Sequence, residues 1–433
     1  GRYTQEIVDN VIKIDQANKA ESGHNKYVVF LRKDNFDEFD ARAGVPPATL
    51  RRGLSEKPAL RKRSAPIVKK VLADVKWYGL AEQILMPLLI WREHLNLMHF
   101  PHFNAPVFCP VKFIVTVHDL ILTKFPTARA TKLGPILYKA KNLFYKIVIW
   151  LTVKRAKRII TVSVFTKNDI VRHFKIKPDK VSVIYEGVAN LAKGRDSLFA
   201  AKLDDRKTLL GYNINNPFLL YVGNAYPHKN LEGLIDVFSA LTPNPSPARF
   251  SRESGNQKLG SKITPFSHER RNGRRAGEEG LQLVLVGQED YFYKRIKGYA
   301  KQFGLWEENN ADPAVIFPGY VPDAELEILF KKALAYVFPS FYEGFGLPPL
   351  EAMAKGCPVV SSNKSSMPEV LGNAAIYFNP DDKQDMQNKI EKIIDDENLR
   401  RDLVKRGYEQ AKKYNWWECA SKTLEVYNKI LQK

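Results

Sequence analysis

Residues 337–360 read VFPSFYEGFGLPPLEAMAKGCPVV: an apolar strand, a glycine-rich turn, a short helix and a second apolar strand. Glu343 and Glu351 stand eight residues apart, on either side of Gly344-Phe345-Gly346. Glycines in such a turn permit positive φ and let a ligand approach the backbone. Pro348 and Pro349 suit the first turn of a helix, which leaves N–H groups from Phe345 to Leu347 unpaired at its positive end. That combination suits a phosphate. Glu351, one turn into the helix, then projects toward whatever carries the anion. A carboxylate accepts two hydroxyl hydrogen bonds, so it fits a sugar diol better than a phosphate. Together the two glutamates suggest a nucleotide-sugar pocket. The alternative is an ordinary strand–helix connection with two solvated glutamates.

Outward from this stretch, apolar strands alternate with amphipathic helices. In the first half, strands are predicted at Tyr27–Leu31, Leu97–His99, Phe113–Val117, Arg158–Val162 and Lys180–Ile184, with helices over Ile7–Ala17, Val68–Ile90 and Leu133–Lys157. The second half repeats the scheme, with strands at Phe218–Val222, Leu281–Val286, Val315–Phe317, Ala335–Phe338, Pro358–Ser361 and Ala375–Phe378. This alternation means parallel sheets covered on both faces. At 433 residues the chain exceeds what one core supports. The fold class is therefore α/β, two doubly wound Rossmann-like domains in tandem, over 1–190 and 205–415, with a linker near 187–208. Ligands bind beyond the carboxyl ends of such strands, so the expected cleft lies between the domains. Residues 416–433 form a final amphipathic helix. Residues 242–280, rich in Pro, Ser, Gly, Asn and Arg, cannot bury a core and read as a disordered insertion in a surface loop.

Composition narrows the partners. Of the net charge of +20, residues 1–190 carry +17, from 33 Lys and Arg against 16 Asp and Glu. Clusters at Arg51–Arg63, Lys69–Lys76 and Lys139–Arg158 suggest an anionic membrane surface or a polyprenyl-phosphate carrier, or else a solubilising surface. No zinc, helix-turn-helix or RNA-binding motif accompanies them, so nucleic acid is not expected. The apolar runs Ile84–Trp91 and Ile147–Val153 are well short of the roughly 20 residues a membrane span needs. Cys109, Cys357 and Cys419 fall in no metal or redox spacing and read as reduced cytosolic cysteines. His94, His99 and His102 lie on a helix end, a strand and a loop, which disfavours a shared metal.

The stretch at 337–360 closely resembles the E-x7-E signature of retaining glycosyltransferases of family 4, which have the GT-B fold. The resemblance recurs in order at GRYTQE (1–6), TVHDL (116–120), RIITVSVFTKNDI (158–170), VIYEGV (183–188), YVGNAYPHKNLEGLI (221–235), LVLVGQ (283–288) and FPGYVPDAELEILFKKA (317–333). Eight blocks in one order are far more specific than any single one. The family begins with a strand and glycine-rich loop before its GRYT-like segment, so the chain reads as truncated at its amino end.

This resemblance implies the site residues. Lys229 would neutralise the departing diphosphate, although Asn224 and His228 stand where the family places a second basic residue. His118, beside Asp119, would lie near the donor sugar and acceptor, and Glu343 would contact the donor sugar or orient its loop. Donor contacts would come from Gly223, from Gly319, Tyr320 and Val321 around the base, and from Gly344, Phe345, Gly346, Leu347 and Glu351. Gly1 and Arg2 would belong to a donor-phosphate loop. Glu186 lies near the linker, and Ser163 with Thr166 reads as a helix cap. The last helix would cross back to the first domain. No cofactor or metal is expected. The implied reaction is retaining transfer of a hexose to a glycan or lipid-linked hydroxyl, with mannose from GDP-mannose the first expectation. The enzyme would be cytoplasmic, with a peripheral place on the inner membrane face. The rivals are a same-fold nucleotide-sugar epimerase, against which the full E-x7-E block argues, and an inactive nucleotide-sugar-binding or scaffold protein.

Overall fold

The computed structural model describes residues 2–18, 25–36, 39, 67–75, 79–125, 135–188, 203–242, 280–308, 310 and 312–432. Gly1, the Arg51–Arg63 cluster, most of the 187–208 linker and nearly all of the 242–280 segment lie outside the described residues. The chain folds as two compact units, Gly1–Gly187 with Tyr414–Lys433 (unit 1) and Val188–Lys413 (unit 2).

Unit 1 runs α1 (Arg2–Asn18), β1 (Lys26–Leu31), α2 (Lys33–Phe36), β2 (Ile67–Leu72), α3 (Leu80–Arg92), β3 (Met98–Phe100), β4 (Phe113–Val117), α4 (Ile121–Lys124), α5 (Pro135–Arg155), β5 (Arg158–Thr161), α6 (Val164–Phe174) and β6 (Val181–Val183). Strands β3-β4-β5-β6 form a parallel four-stranded sheet, and β1 pairs with β2 in a separate parallel ribbon. Every residue of β4 is buried, as a strand covered on both faces requires. Its side chains alternate between two cores. Phe113, Val115 and Val117 join Ile90, Ile149, Val153 and Ile170 from α3, α5 and α6. Ile114, with Ile160 of β5, faces Ile7, Val11 and Ile14 of α1.

The remaining element of unit 1 comes from the far end of the chain. Helix α15 (Trp416–Leu431) is capped by Asn415 and places Trp416, Cys419, Ala420, Leu424 and Val426 on that second core. A buried polar chain pins the layer: His99 bonds the Tyr427 hydroxyl at 2.6 Å and the Thr116 hydroxyl at 2.8 Å, and Thr116 bonds Tyr3 at 3.1 Å. Burial, with the charge of His118 beside it, lowers the pKa of His99 to about 3, so it is neutral.

One predicted helix is corrected. The sequence predicts a single helix over Val68–Ile90, but Ile67–Leu72 is a strand paired in register with β1, and the helix begins at Leu80. In IVKKVL the β-branched residues favour the extended chain, and pairing with β1 supplies the hydrogen bonds a helix would have made internally.

Unit 2 runs α7 (Asp205–Gly211), β7 (Phe218–Val222), α8 (Leu231–Leu241), β8 (Gln282–Val286), α9 (Tyr291–Gln302), β9 (Val315–Gly319), α10 (Asp323–Lys332), β10 (Ala335–Phe338), α11 (Leu347–Ala354), β11 (Val359–Ser362), α12 (Met367–Leu371), β12 (Ala375–Phe378), α13 (Lys383–Asp395) and α14 (Glu397–Lys412). Its six parallel strands are ordered β12-β11-β10-β7-β8-β9. The winding reverses between β7 and β10. Crevices open at such a switch point, beyond the carboxyl ends of the two strands.

Gly187 marks where α15 closes on unit 1: a Cβ there would lie 2.3 Å from the Trp416 backbone nitrogen and 2.6 Å from the Asn415 carbonyl carbon. Backbone cannot rotate away as a side-chain tip can. Gly187→Ala should therefore destabilise unit 1 by about 1–3 kcal/mol, the usual cost of overpacking. Chemical denaturation followed by tryptophan fluorescence measures this, and an unchanged midpoint would show that the helix start shifts freely.

Candidate functional site

The two loops at the switch point of unit 2 meet through one ion pair. After β7 the chain turns through a 3-10 turn at Pro227–Lys229, and after β10 it enters the glycine-rich turn. The Lys229 Nζ donates to Glu343 Oε1 at 2.5 Å, with both side chains about nine-tenths buried. The same ammonium lies 5.5 Å from the centroid of the Phe338 ring. The Phe341 amide donates to the His228 carbonyl at 2.8 Å, a second tie between the loops. His228 is itself buried, which with the adjacent Lys229 charge lowers its pKa to about 4. At neutral pH it adds no charge beside Lys229.

Helix α11 starts at Leu347, with Gly346 as its cap in the left-handed region at φ 93°. Of the two turn glycines only Gly346 has positive φ; Gly344 does not. A Cβ on Gly346 would also lie 2.3 Å from the Met367 methyl carbon. Pro348 and Pro349 follow without N–H groups, so the Gly346 and Leu347 amides are the donors available at this helix start. Glu351, the fifth residue of the helix, lies one turn in and is half-buried.

Sequence reasoning missed what holds this turn in place. The Ser366 hydroxyl lies 3.1 Å from both the Glu343 and Phe345 carbonyls, and Ser365 Oγ accepts the Glu343 amide at 2.9 Å. Ser365 takes the left-handed region, at φ 54°, an arrangement that costs energy and collects at functional turns. Nothing in SSNKSSMPEV shows which backbone those hydroxyls reach. Gly287 was missed as well: a Cβ there would lie 2.2 Å from the Gly223 carbonyl oxygen. Gly223 in turn donates to the Val286 carbonyl at 3.0 Å. Gly319 ends β9 at φ 77° with open space where a Cβ would be, followed by exposed Tyr320 and buried Val321.

In unit 1, His118 follows β4 with both ring nitrogens engaged. Nδ1 lies 2.9 Å from Glu186 Oε1 and Nε2 3.0 Å from the Pro101 carbonyl. Both partners are acceptors, so the surroundings favour a ring that donates from both nitrogens, the charged form. Burial opposes this charge, but the hydrogen bond to Glu186 and its carboxylate charge together raise the His118 pKa above its ordinary value. Tyr3 packs edge-on against the ring at 4.6 Å. His102, also nearby, has its pKa lowered to about 4 by burial and by the His118 charge. Of the two rings, His118 is the one whose surroundings favour the charged form. The Glu186 pairing is long-range, and no sequence pattern announces it. Ser163 caps α6 by accepting the Thr166 amide at 3.0 Å. Arg2 opens α1 and is exposed. Among the described residues no three His, Cys, Asp or Glu side chains are grouped to hold a metal ion.

The architecture is that of the GT-B glycosyltransferases. The crystal structure of Anabaena Alr3699/HepE in complex with UDP and glucose superposes with a TM-score of 0.61 at 17% identity, covering 99% of this chain and 96% of that one. Residues 20–189 match the family Glycosyltransferase Family 4, and residues 271–410 match Glycosyl transferases group 1. The O-antigen chain mannosyltransferase B of Escherichia coli is 28% identical over 76% of this chain and 73% of its own length. The O-antigen chain mannosyltransferase RfbU of Salmonella typhimurium is 27% identical over 74% and 71%. The chain belongs to glycosyltransferase family 4. It is a glycosyltransferase.

The His118–Glu186 pair gives unit 1 a pH dependence of definite sign. A folded-state pKa raised above the unfolded value, about 6.5, contributes stability that is complete below that value and is lost as pH rises through the folded pKa. The melting midpoint should thus fall as pH rises above about 6.5 and through the raised folded-state pKa. Glu186→Gln should flatten that slope by removing the charge that raises the pKa. A His118 imidazole titration by NMR with a midpoint at or below the ordinary value would contradict the pairing.

Proposed function

We propose that this glycosyltransferase is retaining and transfers a hexose, mannose from GDP-mannose, to a hydroxyl of a glycan or lipid-linked acceptor in the assembly of a cell-envelope polysaccharide. The observation that carries the reading is the buried Lys229–Glu343 pair at the switch point of unit 2. A fixed ammonium beside a helix start with free amide donors is a place to stabilise a diphosphate as negative charge develops on it. The mannosyltransferase names of both O-antigen relatives support the sugar and the polysaccharide. The HepE complexes with UDP and with UDP-glucose support a nucleotide-sugar donor in this fold.

In this scheme the bond from the sugar C1 to the diphosphate oxygen breaks first, leaving an oxocarbenium-like centre. The acceptor oxygen then attacks from the face the diphosphate is leaving, and its proton passes to the departing phosphate oxygen. Lys229 and the Gly346 and Leu347 amides hold the diphosphate, with Gly344 and Phe345 bordering it, Glu351 holds the ribose diol, and the backbone of Gly319–Val321 the base, with Gly223 close by. Glu343 keeps the Lys229 ammonium in place and borders the sugar. His118, held as a cation by Glu186, supplies positive charge and no base. The enzyme works in the cytoplasm on the inner face of the membrane, without a metal ion or cofactor. Purified protein assayed against a panel of labelled nucleotide-sugars, with the anomeric configuration of the product read by NMR, tests donor and stereochemistry together. An inverted product would end the retaining assignment.

Two variants test the roles. Lys229→Ala should lower kcat about 100- to 1,000-fold with a smaller change in donor affinity, because the charge it meets is greatest in the transition state. It also leaves the Glu343 carboxylate without its lysine, so melting is followed in parallel. Near-normal kcat in a folded variant would remove Lys229 from the leaving-group site. Glu351→Gln replaces one acceptor of the diol clamp by a donor and should weaken donor binding by about 1.5–3 kcal/mol in calorimetry. Unchanged affinity would move the ribose elsewhere.

A further inference from the structure

We infer that the outer surface of α3 and α5, with the basic hollow at the end of α5, is the face by which unit 1 lies on an anionic phospholipid membrane. The inference rests on the membrane-peripheral part of the reading above and is independent of donor and acceptor. Helices α3 and α5 bury one side in the same core, against Phe113, Val115 and Val117 of β4. Their other sides therefore face away from the same surface of the sheet. On α3 that outer stripe is Ile84, Leu88 and Trp91, at 63%, 58% and 66% exposure; on α5 it is Leu143, Ile147 and Trp150, at 61%, 47% and 50%. Spacings of four and three residues keep each stripe on one side of its helix. The loop between them touches both helices: the Val107 amide donates to Gln83 of α3 at 2.8 Å, and the Thr152 hydroxyl of α5 donates to the Ala105 carbonyl at 3.4 Å. Phe108 in that loop is 74% exposed.

Large apolar side chains exposed in a stripe on each of two helices of one core mark an interaction site, and charge identifies what covers them. The α5 stripe ends at Lys154, whose ammonium lies 5.9 Å from the centroid of the Trp150 ring. Lys154 also lines a hollow of about 500 Å³ with Lys157, Arg158, Lys175, Lys177 and Lys180, and Asp179 is the one acidic residue in its wall. The Lys180 ammonium donates to the Lys154 carbonyl at 2.7 Å. Burial, then repulsion from Lys154 and Lys157, lowers the Lys180 pKa, a tension that a bound phosphate would relieve. Tryptophan and aliphatic side chains beside a cluster of lysines match the boundary between acyl chains and anionic headgroups. A second copy meeting it through the same face would set lysines against lysines, with Asp179 alone to offset them in the hollow. No helix among the described residues is long and apolar enough to cross a membrane, so this surface rests on the bilayer.

The test is sedimentation of the whole protein with vesicles of phosphatidylcholine, alone or with phosphatidylglycerol, at low and physiological salt. Binding is expected only to the phosphatidylglycerol vesicles and should weaken with salt. Ile147→Ser with Trp150→Ser, and separately Lys154→Glu with Lys177→Glu, should each reduce partitioning at least about tenfold. All four side chains are exposed, so folding and transfer to a short soluble acceptor should be unchanged. If the native protein binds anionic vesicles and both variants bind as well, the membrane reading stands and this face is wrong. If the native protein binds no vesicle, the membrane reading itself fails and the inference with it. If the serine variant instead converts a native dimer to monomer without affecting vesicle binding, a second copy covers the stripes and the inference is overturned.

Discussion

A charge taken out of water must be paired, and in unit 2 that requirement joins two loops distant in sequence. Lys229 and Glu343 come from the ends of β7 and β10, the strands between which the sheet reverses its winding. Separating them would leave either charge buried alone, at a cost of several kcal/mol. Much of the surrounding geometry follows from keeping them together. His228 stays neutral beside Lys229, the Phe341 amide ties the second loop to the first, and Ser365 and Ser366 fix the backbone on both sides of Glu343. The helix start after Gly346 is thereby held at one place relative to the ammonium.

The two units divide the electrostatic work differently. Unit 2 is nearly balanced in charge, and at its switch point one buried lysine, Lys229, lies on the loop tied to the turn that starts α11. Residues 1–190 carry most of the excess charge, and the structure places part of it around the hollow at the end of α5. The site at His118 is of another kind, a mostly buried ring whose charged form Glu186 favours.

The parts of this arrangement visible in the sequence are those written locally. Phe113–Val117, Phe218–Val222, Ala335–Phe338 and Ala375–Phe378 are strands to the residue, because a buried strand of a parallel sheet is a short apolar run with polar or turn residues at its ends, and β12, at the sheet edge, keeps the same pattern. The Gly346-Leu347-Pro348 helix start is equally local. Strand β2 reads as part of a helix because IVKKVL satisfies both periodicities over six residues, and its partner, β1, lies some forty residues earlier. The His118–Glu186 pair, the Ser366 bonds and the close approach of Gly287 to Gly223 are all made across the fold. No local pattern encodes them. The apolar runs at 84–91 and 147–153 are plain in the sequence, but which of their side chains face outward depends on the sheet beneath them.

Because α15 supplies much of the cover for the Ile114 and Ile160 face, the two units cannot be completed in the order in which they are written. Synthesis from the amino terminus finishes unit 2 when Lys413 is made, whereas unit 1 still awaits Trp416 and the residues after it. Domains ordinarily fold as they emerge, the first before the second. Here the first to be started is the last to be finished. In the interval Ile114, Ile160 and the inner side of α1 are without Trp416 and Leu424, an apolar surface open to chaperones on the nascent chain.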